Sequence, residues 1–265
     1  MTTFASLHLT DSDILESCRS TSPFAGSGYG NWLVKISEHL VVKFGVGIQR
    51  QEAENQEFAR RNVNPTILYV PQVYRFFEAE FSGLIMGFIV MEYVGGNSFE
   101  GLNIIEDSTL AKRTISAIQH LATIPPPPGH GPGPVGGGSA HGYLWSDSGT
   151  GCTFRTVDDM EAWMNARLDV VKQPTISFAN QQFTMHHMDL VRRNICLGPN
   201  SSICFMDWAF AGFYPRIFEI YVFRELLHTD KAWFTQLLAL SQEPEADDEK
   251  VLQYLGIPAV VNNKY

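Results

Sequence analysis

The chain has 265 residues, 45% hydrophobic and 18% charged, a globular composition that excludes wholesale disorder and allows one large domain or two small lobes. Its formal net charge of −9 argues against nucleic acid or an anionic membrane as a general partner and suits a neutral or cationic small molecule. The opening MTTFASLHLTDSD lacks a charged-then-apolar leader pattern, and the longest apolar run, LIMGFIVM at 84–91, is too short to span a bilayer. Cys18, Cys152, Cys196 and Cys204 form no CxxC pair and read mostly as small buried hydrophobes. These features point to a soluble, cytoplasmic protein with no membrane partner.

LTDSDILESCR predicts a short helix opened by a capping residue. GSGYG at 26–30, centred on Gly28, is either a loop that covers phosphates or an ordinary turn. WLVKIS at 32–37 and LVVKFG at 40–45 predict a hairpin, and QRQEAENQEFARRN at 49–62 a charged helix with one solvated face. VYRFFEA and GFIVMEYV read as two further strands, and GGNS at 95–98 breaks the pattern. Residues 1–94 therefore read as a β-rich lobe with one main helix, and 95–265 as a mainly helical lobe.

In the second part, 108–123 carries Leu110, Thr114, Ala117, Ile118 and Leu121 at helical spacing. PPPPGHGPGPVGGGSAHG at 125–142 forms no regular element; it reads as a surface insertion or as a flap near a site. VDDMEAWMNARLDVV predicts an amphipathic helix with Val157, Met160, Trp163, Met164 and Leu168 inward. Two short strands flank GPNS at 198–201. From Glu219 the chain is helical to about Ser241, and an acidic EPEADDE segment follows.

HHMDLVRRN at 186–194 concentrates titratable groups, which fits a metal site, a packed turn or a phosphate-transfer loop. Phosphoryl transfer requires a base for a hydroxyl, oxygen ligands for Mg²⁺, a lysine on the phosphates and an acid holding that lysine. Asp189 suits the base, and Asn194 lies five residues on. Asp207 ends an apolar run 18 positions later, close enough for a hairpin to bring it beside Asp189. Oxygen ligands without cysteine favour Mg²⁺ over zinc, and adjacent His186 and His187 would point apart on a strand. Lys43 faces away from Val42 and Phe44, and Glu52 or Glu54 on the next helix can pair with it; both also read as plain surface charges. Lys35 has no acidic helix directly after it.

HxDxxxxN over His187, Asp189 and Asn194, MDW at 206–208, VVKFG and QEAENQEFAR together resemble the aminoglycoside phosphotransferase and choline kinase-like family. MDWAFAGFYPRIFE is similar to its fungal-type members, and the resemblance covers roughly residues 25–225. It implies an α+β, bilobal protein-kinase-like fold and an ATP- and Mg²⁺-dependent phosphotransferase acting on a hydroxyl of a small molecule. In that scheme Lys43 contacts the α/β phosphates and Glu52 holds it, with Glu54 as the alternative. Glu92, Tyr93 and Val94 form the hinge at the adenine, and Gly28 lies in the phosphate-covering loop. Asp189 is the catalytic base, Asn194 and Asp207 are metal ligands, and His187 supports the loop.

The resemblance implies an acceptor such as an aminoglycoside, choline or a hydroxylated tryptamine; the acidic balance mildly favours a cationic one, and a secondary-metabolite hydroxyl fits a fungal-type member equally well. Val191 departs from the family's polar or basic residue, leaving Arg192 or Arg193 to supply that charge or both to brace the loop. The chain is short after MDW, so the acceptor pocket is either reduced or completed by the proline–glycine loop. A nucleotide-binding module without turnover is the alternative function.

Overall fold

The structure is a computed structural model that describes residues 9–26, 31–102, 108–146 and 148–264. Gly28 lies outside the described residues. In chain order the elements are α1 (Asp11–Ser20), β1 (Trp32–Lys35), β2 (Leu40–Gly45), α2 (Arg50–Asn62), β3 (Leu68–Tyr69), β4 (Val73–Phe81) and β5 (Leu84–Glu92). Then follow α3 (Ser108–Leu121), α4 (Val157–Val170), β6 (Phe183–His186), β7 (Ile195–Leu197), β8 (Ile203–Phe205) and β9 (Gly212–Pro215). The chain closes with α5 (Arg216–Glu225), α6 (Lys231–Leu240), α7 (Ala246–Leu252) and α8 (Ile257–Lys264). The architecture is α+β: an antiparallel sheet in the first part and a helical body after it.

Thr10 caps α1 by accepting the Asp13 N–H, and the Asp13 carboxylate returns to the Thr10 backbone, so two orphan N-terminal amides are satisfied. β1, β2, β5 and β4 form the four-stranded sheet in that order. Side chains alternate across it. Val42 and Phe44 join Ile14 and Cys18 of α1 in one apolar cluster. Lys43, in register with Leu33 and Ile89, is therefore sent to the opposite face, where it is 5% exposed.

The charge-rich α2 is less solvated than its sequence suggests, because Glu52, Asn55 and Gln56 are all buried. Asn55 clamps three places at once: its Nδ2 donates to the carbonyls of Trp208 (3.1 Å) and Ala211 (2.8 Å), and its Oδ1 accepts the Val135 N–H. β3 pairs in parallel with β8, and Ala59, Val63, Leu68 and Val70 belong to the large core of the helical body. The two parts are thus stitched together behind the cleft between them.

The helical core is built on fully buried Trp145, Trp208 and Trp233. Leu110, Thr114, Ala117, Ile118 and Leu121 of α3 face it as their spacing predicts. In α4, Met160, Met164 and Leu168 are buried, with Val157 and Trp163 partly buried.

Residues 125–142 do not form a surface insertion. Gly133 and Phe213 exchange backbone hydrogen bonds of 3.1 and 2.8 Å, and Pro132, Pro134 and Ala140 are buried. Glycine at 212 is what permits this approach, since a Cβ there would stand 2.5 Å from the Gly133 carbonyl oxygen. Within the acidic segment, α7 opens on a capping box between Glu245 and Asp248. On α8, Asn262 accepts from Arg167 of α4 and donates to the Ser146 hydroxyl and the Gly149 carbonyl. No helix among the described residues is long and apolar enough to cross a membrane.

Candidate active site

The strand lysine meets Glu52, as expected, and also Asp207, a partner the sequence did not suggest for it. Lys43 Nζ donates to Glu52 Oε1 at 2.6 Å and to Asp207 Oδ1 at 2.8 Å. Glu54 takes no part; its carboxylate lies where a Cβ on Gly136 would strike it. Burial alone would lower the Lys43 pKa, but the Glu52 and Asp207 carboxylates outweigh it and keep the ammonium charged. Burial would raise Asp207, and the Lys43 charge reverses that, holding the carboxyl below its usual range. Asp207 has a left-handed backbone, φ +64°, which costs a non-glycine residue free energy and here turns the carboxylate into the cleft.

Asp189 follows β6 on a loop whose backbone is tied from below. Glu219 Oε1, on α5, accepts the N–H groups of His187 and Met188, both at 3.2 Å, while its Oε2 pairs with His186 Nδ1 at 3.0 Å. Met188 has φ +67°, so this buried carboxylate holds a strained residue immediately before Asp189. Burial would raise the Glu219 pKa, but His186 and the loop amides outweigh it and hold it low. Glu219 and His186 were not singled out from the sequence. The signal available was one carboxylate inside the apolar run RIFEIYVF.

His187 supports the loop, as the motif implies. Its Nε2 bonds the Met206 carbonyl at 3.1 Å, and its Nδ1 accepts the Asp189 N–H at 3.3 Å, which makes Nε2 the protonated nitrogen. Burial pushes its pKa down to about 4, so the ring stays neutral. His186 bonds Glu219 through Nδ1 and Thr184 through Nε2. All four ring nitrogens of the pair therefore have protein partners, and the metal-site reading of HHMD fails on that ground.

Asn194 Nδ2 donates to Asp189 Oδ2 at 2.9 Å and to the Asp189 carbonyl at 3.0 Å, leaving its Oδ1 as the atom suited to a cation. Tyr143, from the turn after the proline–glycine loop, donates its hydroxyl to Asp189 Oδ1 at 3.0 Å. Burial and the nearby Asp207 charge raise the Asp189 pKa to about 6, against the opposing pull of Arg193, Tyr143 and Asn194. The paired arginines divide. Arg192 is a brace, bonded to Asp230 at 2.5 Å and to the carbonyls of Phe99, Glu100 and Leu102. Arg193 is exposed at the cleft, 3.8 Å from Asp189. Val191 packs into the core.

Two cavities meet at these residues. One, of about 790 Å³, runs under the sheet past Val41, Lys43, Met91, Tyr93 and Val94 to Asn194 and Asp207. The other, of about 760 Å³, is lined by Gln49, Tyr143, Asp189, Phe210, Tyr221 and Glu225, and by Val260 and Asn263 of α8. Asn31, Arg193 and Asp207 border both. The proline–glycine loop and α8 both line the second cavity. At the hinge, the Tyr93 N–H already donates to the His39 carbonyl, and the Glu92 carboxylate accepts from Tyr69 and the Gln72 N–H.

Residues 23–254 match the sequence model of the phosphotransferase enzyme family. The chain belongs to that family. By family it is a phosphotransferase enzyme. Its fold is similar to a thermostable mutant of aminoglycoside phosphotransferase APH(4)-Ia in the apo form, with TM-score 0.59, 14% identity, and 96% of this chain and 89% of that one covered. A complex of such a mutant with AMP-PNP and hygromycin B gives TM-score 0.58 at 14% identity, covering 96% and 89%. The microcompartment-associated aminopropanol kinase gives TM-score 0.53 at 15% identity, covering 94% and 87%. No curated protein matches the chain by sequence.

Proposed function

We propose that this protein transfers the γ-phosphoryl group of ATP, in the presence of Mg²⁺, to a hydroxyl of a small molecule in the cytoplasm. The observation that carries the reading is the meeting of the two cavities at Asn31, Asp207 and Arg193, with Asp189 lining the second cavity beside that junction. The β-rich lobe, residues 1–94, holds the donor cavity from above, and 95–265 supplies the catalytic loop and the acceptor cavity.

The residues fit the donor. Lys43 is charged, held by Glu52 and exposed to the donor cavity, which suits the α/β phosphates. Among the described residues no three His, Cys, Asp or Glu side chains cluster into a ready-made metal site. Asn194 Oδ1 and the Asp207 carboxylate offer two hard oxygens, which suits an ion that keeps waters and phosphate oxygens as its remaining ligands, as Mg²⁺ does. ATP with Mg²⁺ would supply the phosphoryl group and neutralise charge on its oxygens. Glu92, Tyr93 and Val94 border the adenine end; with the Tyr93 N–H bonded to His39 and the Val94 carbonyl to the Gly96 N–H, the Val94 N–H is a group left to meet the base. Gly28 keeps its assignment to the phosphate-covering loop as a proposal.

Asp189 holds the acceptor hydroxyl by its Oδ1, takes its proton and directs the oxygen toward the junction. Asn194 fixes the other carboxylate oxygen, and Arg193 offsets charge on the transferring group. With Lys43 set against Glu52 and Asp207, and Arg193 against Asp189 and Glu225, the acceptor cavity keeps a negative balance, which supports a cationic, amine-bearing acceptor. The test is ADP release with ATP–Mg²⁺ across amines, sugars and amino alcohols. Acceptor-dependent release supports the reading; nucleotide binding without acceptor-dependent release across the panel indicates a binding module instead.

A further inference from the structure

Asp189 is 6% exposed, and its two carboxylate oxygens face different ways. Oδ2 is bonded to Asn194 inside the loop, while Oδ1 is bonded to the Tyr143 hydroxyl, and Tyr143 lines the acceptor cavity. The phenol thus makes the hydrogen bond that a substrate hydroxyl needs in order to reach the base. Its own proton is held tightly: burial, and then the Asp189 charge, raise the Tyr143 pKa well above the usual phenol value.

The turn that presents Tyr143 is anchored on both sides. The Trp145 N–H closes it onto the Gly142 carbonyl at 3.0 Å, and Leu144 and Trp145 are buried. Gly142, at φ +112°, lets the backbone run so close to Phe210 that a Cβ would stand 2.8 Å from that ring. Tyr143 itself is only partly buried and meets Phe210 edge-on at 5.7 Å between ring centroids. A fixed backbone with a partly exposed ring leaves side-chain rotation as the way to uncover Asp189.

We propose that Tyr143 is a gating residue: its hydroxyl stands in for the acceptor on Asp189 and keeps water from the base until a substrate hydroxyl displaces it. Without such a cover, water is the smallest hydroxyl acceptor, and a nucleoside triphosphate in the neighbouring cavity would be hydrolysed without use. Displacement exchanges one hydrogen bond to Asp189 Oδ1 for another, so a true acceptor loses little by it. The inference rests on Asp189 being the base.

The test needs no identified acceptor. ADP release from ATP–Mg²⁺ in buffer alone is measured for wild type, Tyr143→Phe, Tyr143→Ala, Asp189→Asn and the double variant Tyr143→Phe/Asp189→Asn, with folding checked by thermal melting. Tyr143→Phe keeps the ring and frees Oδ1, and Tyr143→Ala also opens space for water. The expected result is a rise in acceptor-free hydrolysis on the order of tenfold in at least one Tyr143 variant, absent in the double variant. Hydrolysis unchanged or lowered in both folded Tyr143 variants overturns the gating role while leaving Asp189 as base. A rise that persists in the double variant overturns it as well, since the water would not be using Asp189. Failure of the wild type to bind ATP–Mg²⁺ in the same thermal assay would instead sink the kinase reading beneath it.

Discussion

Lys43 on β2 and Asp207 after β8 are 164 positions apart in sequence, yet Lys43 Nζ lies 2.8 Å from Asp207 Oδ1. With Glu52 at 2.6 Å on its other side, this one ammonium joins the sheet, α2 and the helical body at the mouth of the donor cavity. Replacing Lys43 by Met leaves Glu52, whose side chain is 4% exposed, buried without its cation. Such a loss is expected to cost about 3–5 kcal/mol of stability. It should also abolish the melting-temperature rise on adding ATP–Mg²⁺. An unchanged ATP–Mg²⁺ shift in this variant would remove Lys43 from the donor site.

The pH dependence follows from Asp189. As a base it must be ionised, and its folded pKa is raised to about 6. Turnover is therefore expected to be full above that value and to fall as pH drops through it. A cation engaging Asp207 removes part of the upward push and moves the midpoint down toward the ordinary 3.8. The stability contribution of this group has the opposite sense: it is present below 3.8 and lost as pH rises through about 6. A pH–rate profile that rises on acidification below pH 6 contradicts the assignment.

Glu219 holds the loop that carries the base. Glu219→Ala leaves the His187 and Met188 amides and the His186 Nδ1 unpaired inside the protein, an expected loss of about 3–5 kcal/mol. Glu219→Gln keeps a carbonyl oxygen for the amides, so its melting temperature and kcat should lie between those of wild type and Glu219→Ala. Equal effects of the two substitutions would show that only the charge matters.

Arg192 and Arg193 are adjacent but should fail differently. Arg192→Ala removes the Asp230 pair and the bonds to three carbonyls, which should cost about 2–3 kcal/mol with kcat little changed in the folded enzyme. Arg193→Ala should leave the melting temperature unchanged and lower kcat by roughly tenfold or more. Melting curves run beside saturation kinetics separate the two.

The residues legible in the sequence were those whose type and spacing are both demanded by the chemistry. Lys43 alternates with Val42 and Phe44 on a strand, and Asp189, Asn194 and Asp207 fall on one loop and one hairpin, so local periodicity was enough to bring them together. Glu52 was separable from Glu54 only by the helix register, and the structure chooses Glu52. Tyr143, Asn55 and Glu219 were not found because their partners lie 46, 80 and 32 residues away, across contacts that no local pattern encodes. Of the two readings of the proline–glycine segment, surface insertion fails, because composition reports its lack of regular structure and not the backbone pairing of Gly133 with Phe213. Helix α7 was hidden because EPEADDE reads as charge, while the capping box of Glu245 and Asp248 is what starts it.

The most direct test of the whole account is the rate of acceptor-dependent ADP release from ATP–Mg²⁺ by Asp189→Asn beside wild type. A loss of about 10²–10⁴-fold in kcat, with ATP–Mg²⁺ still raising the melting temperature, is the expected result. Turnover of the variant within a few-fold of wild type would contradict Asp189 as the base, and with it the mechanism built on this site.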